Sequence, residues 1–299
     1  MVTLRNLLFL LFLIIIAGCS NKTSDSASAT MKIFVSIPPQ KYFLEKLCVD
    51  RAEISVLLPP GASPHSYEPK PSQMARLSKS RIYFSVGGDF EASLLPRLRK
   101  SCPNLLIIPT DSTITRITFD EEHEADHAVE TAEEHHSHHG TDPHIWLSPE
   151  LVKEQVKIMA DALCEIDTLN RQFYRQNYSL FIEQISSLQA AIKERLKDCK
   201  SGEPFMVFHP SWGYFAREFN LTQIAIEIDG KEPSMRELGI IFKKARADSI
   251  HTIFTQPQFS SRSAELIAKQ LNVQVVSADP LAENWDESLL KLSEAIGKK

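Results

Sequence analysis

No lysine or arginine occurs between Arg116 and Lys153. The gap argues against an anion as the ligand of that stretch. Asp120, Glu121, Glu122, Glu124, Asp126, Glu130, Glu133 and Glu134 crowd into it, which favours a cation. The whole chain also lacks a basic excess. Its net charge of -5 gives no reason to expect nucleic acid or an anionic membrane surface as a partner. No two cysteines have the CxxC spacing, so a thiolate metal site is not expected. The one HExxH pattern, "HEADH" at His123–His127, lies in the acidic stretch, which is too poor in apolar residues to form the packed helix such a zinc site needs, so a zinc-dependent hydrolase is not expected. From Glu150 to Ser201 there is neither glycine nor proline, so nothing there breaks a helix. No convincing internal repeat is present.

The first apolar run, Leu7–Ile16, is too short for a confident membrane span and follows a single basic residue, Arg5. It reads as an export signal over residues 1–18. The sequence "IAGC" resembles the bacterial lipobox, which would make Cys19 the lipidated first residue of the mature protein. Small polar residues through Thr30 then read as a flexible tether, 19–30. Export implies an oxidising compartment for Cys48, Cys102, Cys164 and Cys199. Four cysteines allow three pairings, and buried free thiols fit equally well.

Beyond Thr30, β-rich runs alternate with helix-like spacing. The runs are Lys32–Ile37, Glu53–Leu58, Ile82–Val86 and Leu105–Pro109, then Phe205–Phe208, Gln223–Glu227, Thr252–Thr255 and Val273–Val276. Helical patterns fall at Lys41–Leu47, Ser72–Ser80, Ser234–Arg246 and Ser261–Leu271. This alternation predicts an α/β protein of two lobes, each a mainly parallel four-stranded sheet flanked by helices. The gap between the two sets holds Pro149–Ile166, read as one helix. After it, Leu169, Phe173, Phe181, Ile185, Leu188, Ile192 and Leu196 form an amphipathic seam. The seam predicts one long rigid helix of about 30 residues, roughly 45 Å, with Asp167 as its N-cap. The expected division is an N-terminal lobe over 31–166, the connecting helix over 167–200 and a C-terminal lobe over 201–299. Such a linker predicts a small rocking of the lobes rather than a wide closure.

His65 follows the second predicted strand and His209 the fifth. Asp279 follows the last strand, and His144 lies in the loop before Pro149. Ligands of open α/β sheets bind outside the carboxyl ends of the strands. Three imidazoles and one carboxylate make a reasonable ligand set for a divalent metal. A proline flanks each histidine (Pro64, Pro143, Pro210), which limits the ordering cost of binding.

The motifs "PPGASPHSYEPKPSQ", "DPHIWLSPE", "FHPSWGYFAREF", "IFTQPQFS" and "ADPLAENW", in this order, resemble those of the metal-specific solute-binding proteins of ABC transporters (cluster A-I), with the zinc-uptake branch the closest. The resemblance covers about Met31 to Lys299. It implies that His65, His144 and His209 bind the metal between two lobes, with Asp279, water or a mobile-loop residue as the fourth ligand. It implies no enzymatic activity, a membrane permease as partner, and a monomer held on the extracytoplasmic or periplasmic side. Two positions depart from the family pattern: Gln256 stands where Glu is frequent, and Gln73 where Asp is. Zinc-specific members carry a His- and acid-rich loop between the first two ligand histidines, and residues 120–140 occupy that place. The cargo expected is therefore Zn(II), with Mn(II) or Fe(II) the alternative. His123, His127, His135, His136, His138 and His139 would form auxiliary sites, since a loop so poor in apolar residues cannot build a core.

Overall fold

The computed structural model describes residues 30–118, 140–227, 231, 233–259 and 262–298. The export signal, Cys19, the tether before Thr30 and the six loop histidines His123, His127, His135, His136, His138 and His139 lie outside the described residues. No described helix is long and apolar enough to cross a membrane.

Strands β1 (Met31–Val35), β2 (Ala52–Val56), β3 (Ile82–Ser85) and β4 (Leu106–Pro109) pair in parallel in the order β2-β1-β3-β4. Strands β5 (Glu203–Val207), β6 (Leu221–Ala225), β7 (Thr252–Thr255) and β8 (Gln274–Ser277) repeat that order as β6-β5-β7-β8. Parallel pairing requires crossovers. Helices α1 (Pro38–Cys48), α2 (Pro71–Leu77) and α3 (Asp89–Ser101) supply them in the first lobe. Two helices follow, α4 (Pro149–Ile166) and α5 (Arg171–Arg195). In the second lobe the crossovers are α6 (Gly213–Glu218), α7 (Met235–Ala247) and α8 (Arg262–Leu271), and α9 (Trp285–Gly297) closes the chain.

Alternation along the strands sets the layers. Ile33 and Val35 face one side of β1 and Phe34 the other; Phe205 and Val207 oppose Met206 on β5. The first set joins a single apolar cluster that also takes in Phe43, Val152, Phe181, Phe215 and Leu289, so α1, α4, α5, α6 and α9 share one core with both sheets. The outer faces carry smaller cores, one with Leu77, Phe90 and Leu94 and one with Ile241, Ile253 and Ile267.

The observed strands match the predicted runs to within two residues. The linker differs in detail. Helix α5 has 25 residues, about 37 Å at 1.5 Å per residue, because a 3-10 turn at Thr168–Asn170 takes up its first residues. For the same reason Asp167 does not cap it. The Asp167 carboxylate instead accepts from the Asn170 amide (2.7 Å) and the Tyr174 hydroxyl (2.8 Å). Three helices escaped the sequence reading, among them the six-residue α6. Pro96 sits inside α3 and hides its pattern, and α9 follows a run of turn residues. All three matter below. The four described cysteines are free thiols, and burial pushes that of Cys48 up to about 12.

Candidate metal centre

The carboxyl ends of both sheets face a common crevice, and three histidines meet there. His65 follows β2, His209 follows β5, and His144 opens a buried turn ahead of α4. One ligand-capable atom from each lies within 4.8 Å of the others, the one such cluster among the described residues. The His65 and His209 Nε2 atoms are 3.1 Å apart. Ring centroids are separated by 4.9 Å (His65–His209), 5.5 Å (His144–His209) and 6.1 Å (His65–His144).

Each imidazole has a carboxylate at Nδ1. Asp89 Oδ2 is 2.8 Å from His65, Asp142 Oδ1 is 2.7 Å from His144, and Glu227 Oε1 is 3.0 Å from His209. A carboxylate accepts, so Nδ1 carries the proton and Nε2 is left with a lone pair. Two facing lone pairs 3.1 Å apart repel. A cation between them reverses the sign. Nitrogens bound tetrahedrally at 2.0–2.1 Å lie roughly 3.3 Å apart, close to the spacing already present.

Burial sets the electrostatics. It lowers His144 to about 3 and raises Asp142 to about 7, the latter opposed by the His144 backbone N–H, which donates to Asp142 Oδ1 at 2.8 Å. His209 is lowered by burial against the pull of Glu227. Asp89 is lowered chiefly by its hydrogen bond from His65. Asp142 Oδ2 is buried without a hydrogen-bond partner among the described residues, so nearby positive charge would relieve it.

These partners are themselves held in place. Asp89 opens α3, one residue beyond a turn whose three N–H groups, from Val86, Gly87 and Gly88, donate to the buried Glu91 carboxylate. Arg116 donates to the carbonyls of Val86 and Gly87, and a Cβ at Gly87 (φ 76°) would collide with its guanidinium. Gln256 Oε1 accepts the His209 N–H at 3.2 Å, and its Nε2 donates to the His209 carbonyl at 2.8 Å. The second of these bonds needs an amide; an ionised Glu has no donor to make it. Gln73 likewise donates to the Leu57 carbonyl and accepts from Tyr67 and the Lys70 N–H. Phe259 stacks on His209 (4.6 Å, 24°), and Trp146 packs edge-on against His144 at 5.2 Å.

Asp279 is not part of the histidine cluster. Its Oδ1 accepts from the Gln258 amide (2.7 Å) and the Leu281 N–H (2.9 Å), because the turn after β8 folds back on its own carboxylate. Asp89, Glu227 and Gln256 went unread as site residues. The available signal was position, since Glu227 and Gln256 both follow strands on the carboxyl edge.

A family profile described as "Zinc-uptake complex component A periplasmic" matches residues 33–295. This chain belongs to that family. Its members are binding components of zinc-uptake complexes, so the chain captures metal for transport and is not an enzyme. Among curated relatives, the Yersinia pestis "High-affinity zinc uptake system protein ZnuA" is 28% identical over 85% of this chain and 84% of its own length. A crystal structure of ZnuA is 38% identical, with a TM-score of 0.81 over 90% of this chain and 98% of that one. A ZnuA deletion mutant with zinc bound is equally identical, 38%, with a TM-score of 0.79 over 90% and 97%.

Proposed function

We propose that His65, His144 and His209 are the ligands that take up Zn(II) in the interlobe crevice for transfer to a membrane permease, with the fourth place left to water. The observation that carries this is the pair of facing Nε2 atoms 3.1 Å apart, each ring held at Nδ1 by a carboxylate. That arrangement orients lone pairs inward and raises imidazole basicity once a cation is bound. Asp279 serves the turn after β8 and takes no place in the shell. In this reading the chain is an exported monomer anchored through lipid on Cys19.

The histidine loop enters and leaves beside the site. Thr118 and Thr141 form an antiparallel bridge, and the Asp142 N–H donates to the Ile117 carbonyl at 2.8 Å. We assign His123, His127, His135, His136, His138 and His139 to weaker auxiliary capture, feeding a centre that begins two residues after the stem. Zinc and manganese competition on purified protein lacking residues 121–140 tests both parts. One zinc of wild-type affinity is expected to remain, the weaker zinc to disappear, and Asp279→Ala in that background to change affinity less than threefold. Preferential retention of Mn(II), or loss of the tight site, would overturn the assignment.

Acid should weaken the site gradually. His144 is held neutral to about 3, so no proton competes for its Nε2 between pH 6.5 and 4. Asp142, raised to about 7, is protonated below that pH in the free protein and must release the proton when zinc charges its partner. Affinity therefore falls as pH falls below 7. Three free imidazoles would approach a thousandfold per pH unit well below their ordinary value of about 6.5. One proton leaves Asp142 and less than one leaves His209, whose imidazole burial lowers, so the expected slope of log affinity against pH between 6 and 4.5 stays clearly below three. Competition titrations with a chelator at stepped pH measure it, and a slope near three would show that burial does not protect the site.

A further inference from the structure

His144 lies on the N-terminal side of the connecting helix in sequence, yet the residues on either side of it bond to the other lobe. The Tyr214 hydroxyl, from α6, donates to the Asp142 carbonyl (2.9 Å) and accepts the Ile117 N–H (3.1 Å). It thus grips both stems of the histidine loop and the backbone of the carboxylate that orients His144. Two residues beyond His144, the Trp146 indole donates to the Pro280 carbonyl and the Trp285 indole donates to the Trp146 carbonyl, both at 2.7 Å. Glu218, at the end of α6, accepts from Ser148 Oγ and from the Glu150 N–H at the start of α4. Every residue from Asp142 to Pro149 is buried.

His65 contrasts on each count. Its loop, 59–70, contains no buried residue. Its imidazole is held by Asp89 and its N–H points to Ser63 Oγ, both in the N-terminal lobe. Its side chain is 32% exposed, against 3% for His144. The 3.1 Å approach of its Nε2 to that of His209 is its one close polar approach across the crevice among the described residues.

We infer that the three ligands divide two and one: Tyr214 is a positioning residue that fixes His144 to the C-terminal body beside His209, and His65 is the ligand that leaves when the cargo is released. A division by chain halves would instead pair His144 with His65. Unloading then needs only the exposed 59–70 loop to withdraw, a movement that the long helix and the shared core permit. Zinc left on His144 and His209 alone is under-coordinated and ready to pass on.

This inference rests on the ligand assignment proposed above, and the test separates the two. Tyr214→Phe removes the hydroxyl and keeps the ring, so packing is preserved. Zinc affinity is measured by chelator competition for Tyr214→Phe in the wild-type, His65→Ala and His144→Ala backgrounds, with chelators of graded strength. About a tenfold loss is expected in the first two, the lower end for a lost outer-shell partner, and less than twofold where His144 is already absent. A purely structural role would lower all three alike, and that result, or no loss in the wild type, overturns the inference. If His65→Ala and His144→Ala each leave wild-type affinity, the ligand assignment itself fails, and the inference with it. Crystal structures with and without zinc, superposed on β5–β8, give an independent reading. His144 is expected to stay within about 1 Å while His65 moves farther; joint movement of the two histidines overturns the proposal.

Discussion

Replacing His144 with alanine is expected to lower zinc affinity several hundredfold to a thousandfold. Four-ligand zinc sites bind with roughly 10–16 kcal/mol, so one ligand carries about 3–4 kcal/mol. His144 should carry a full share, because its ring is buried and held at both Nδ1 and the backbone N–H by one carboxylate. Little entropy remains to be lost on binding. His209→Ala should come close, since Glu227, Gln256 and Phe259 hold that ring. His65→Ala should cost least, about ten- to a hundredfold, because an exposed loop supplies it and water can take its place. His144→Ala leaves the Asp142 carboxylate buried without its imidazole, so some loss of stability is expected as well. The double variant Asp142→Asn/His144→Ala restores much of that stability without restoring zinc. Competition titration beside thermal melts separates the two effects. Wild-type affinity in His144→Ala would remove the residue from the shell.

The largest effect on stability is expected at Trp285. Its ring is buried in the core shared by both lobes and meets Phe43 edge-on at 5.2 Å. Its N–H donates to the Trp146 carbonyl. Trp285→Ala removes the apolar area, leaves a cavity and strands that carbonyl. Large-to-small changes of this kind cost about 3–5 kcal/mol. For a body of this size, each kcal/mol lowers Tm by roughly 2–4 °C, so a fall of about 6–20 °C is expected. Trp285→Phe keeps most of the area and loses only the donor, which should cost about 1–3 kcal/mol. A melt of Trp285→Ala within 3 °C of the wild type would mean that α9 is not part of the shared core.

The same two positions show where reading the sequence succeeds and where it stops. The strands were legible because a β-rich run between turn residues is a local signal, and parallel pairing follows from the helices between the runs. The linker was legible as a helix because nothing in it breaks one. Its start was misplaced by a few residues, because a 3-10 turn and an α-helix share the same apolar spacing. Helix α3 was missed because Pro96 argues locally against a helix that packing imposes. With α3 unread, Asp89 went unread as the partner of His65.

By itself the sequence determined two parallel α/β lobes on a long helix and an acidic, histidine-rich stretch, because hydrophobic period and charge composition are properties of neighbouring residues. It also singled out His65 and His209, through their places after predicted strands, and these two together with His144 through their motifs. Tertiary structure decided the rest. It brought Asp89, Asp142 and Glu227 to the three rings. It turned the Asp279 carboxylate back onto its own turn. It bound the His144 segment to Tyr214, Glu218, Pro280 and Trp285 across the lobes. The reason is physical: a buried polar group must find its partner wherever the folded chain supplies one, and these partners lie far away in sequence.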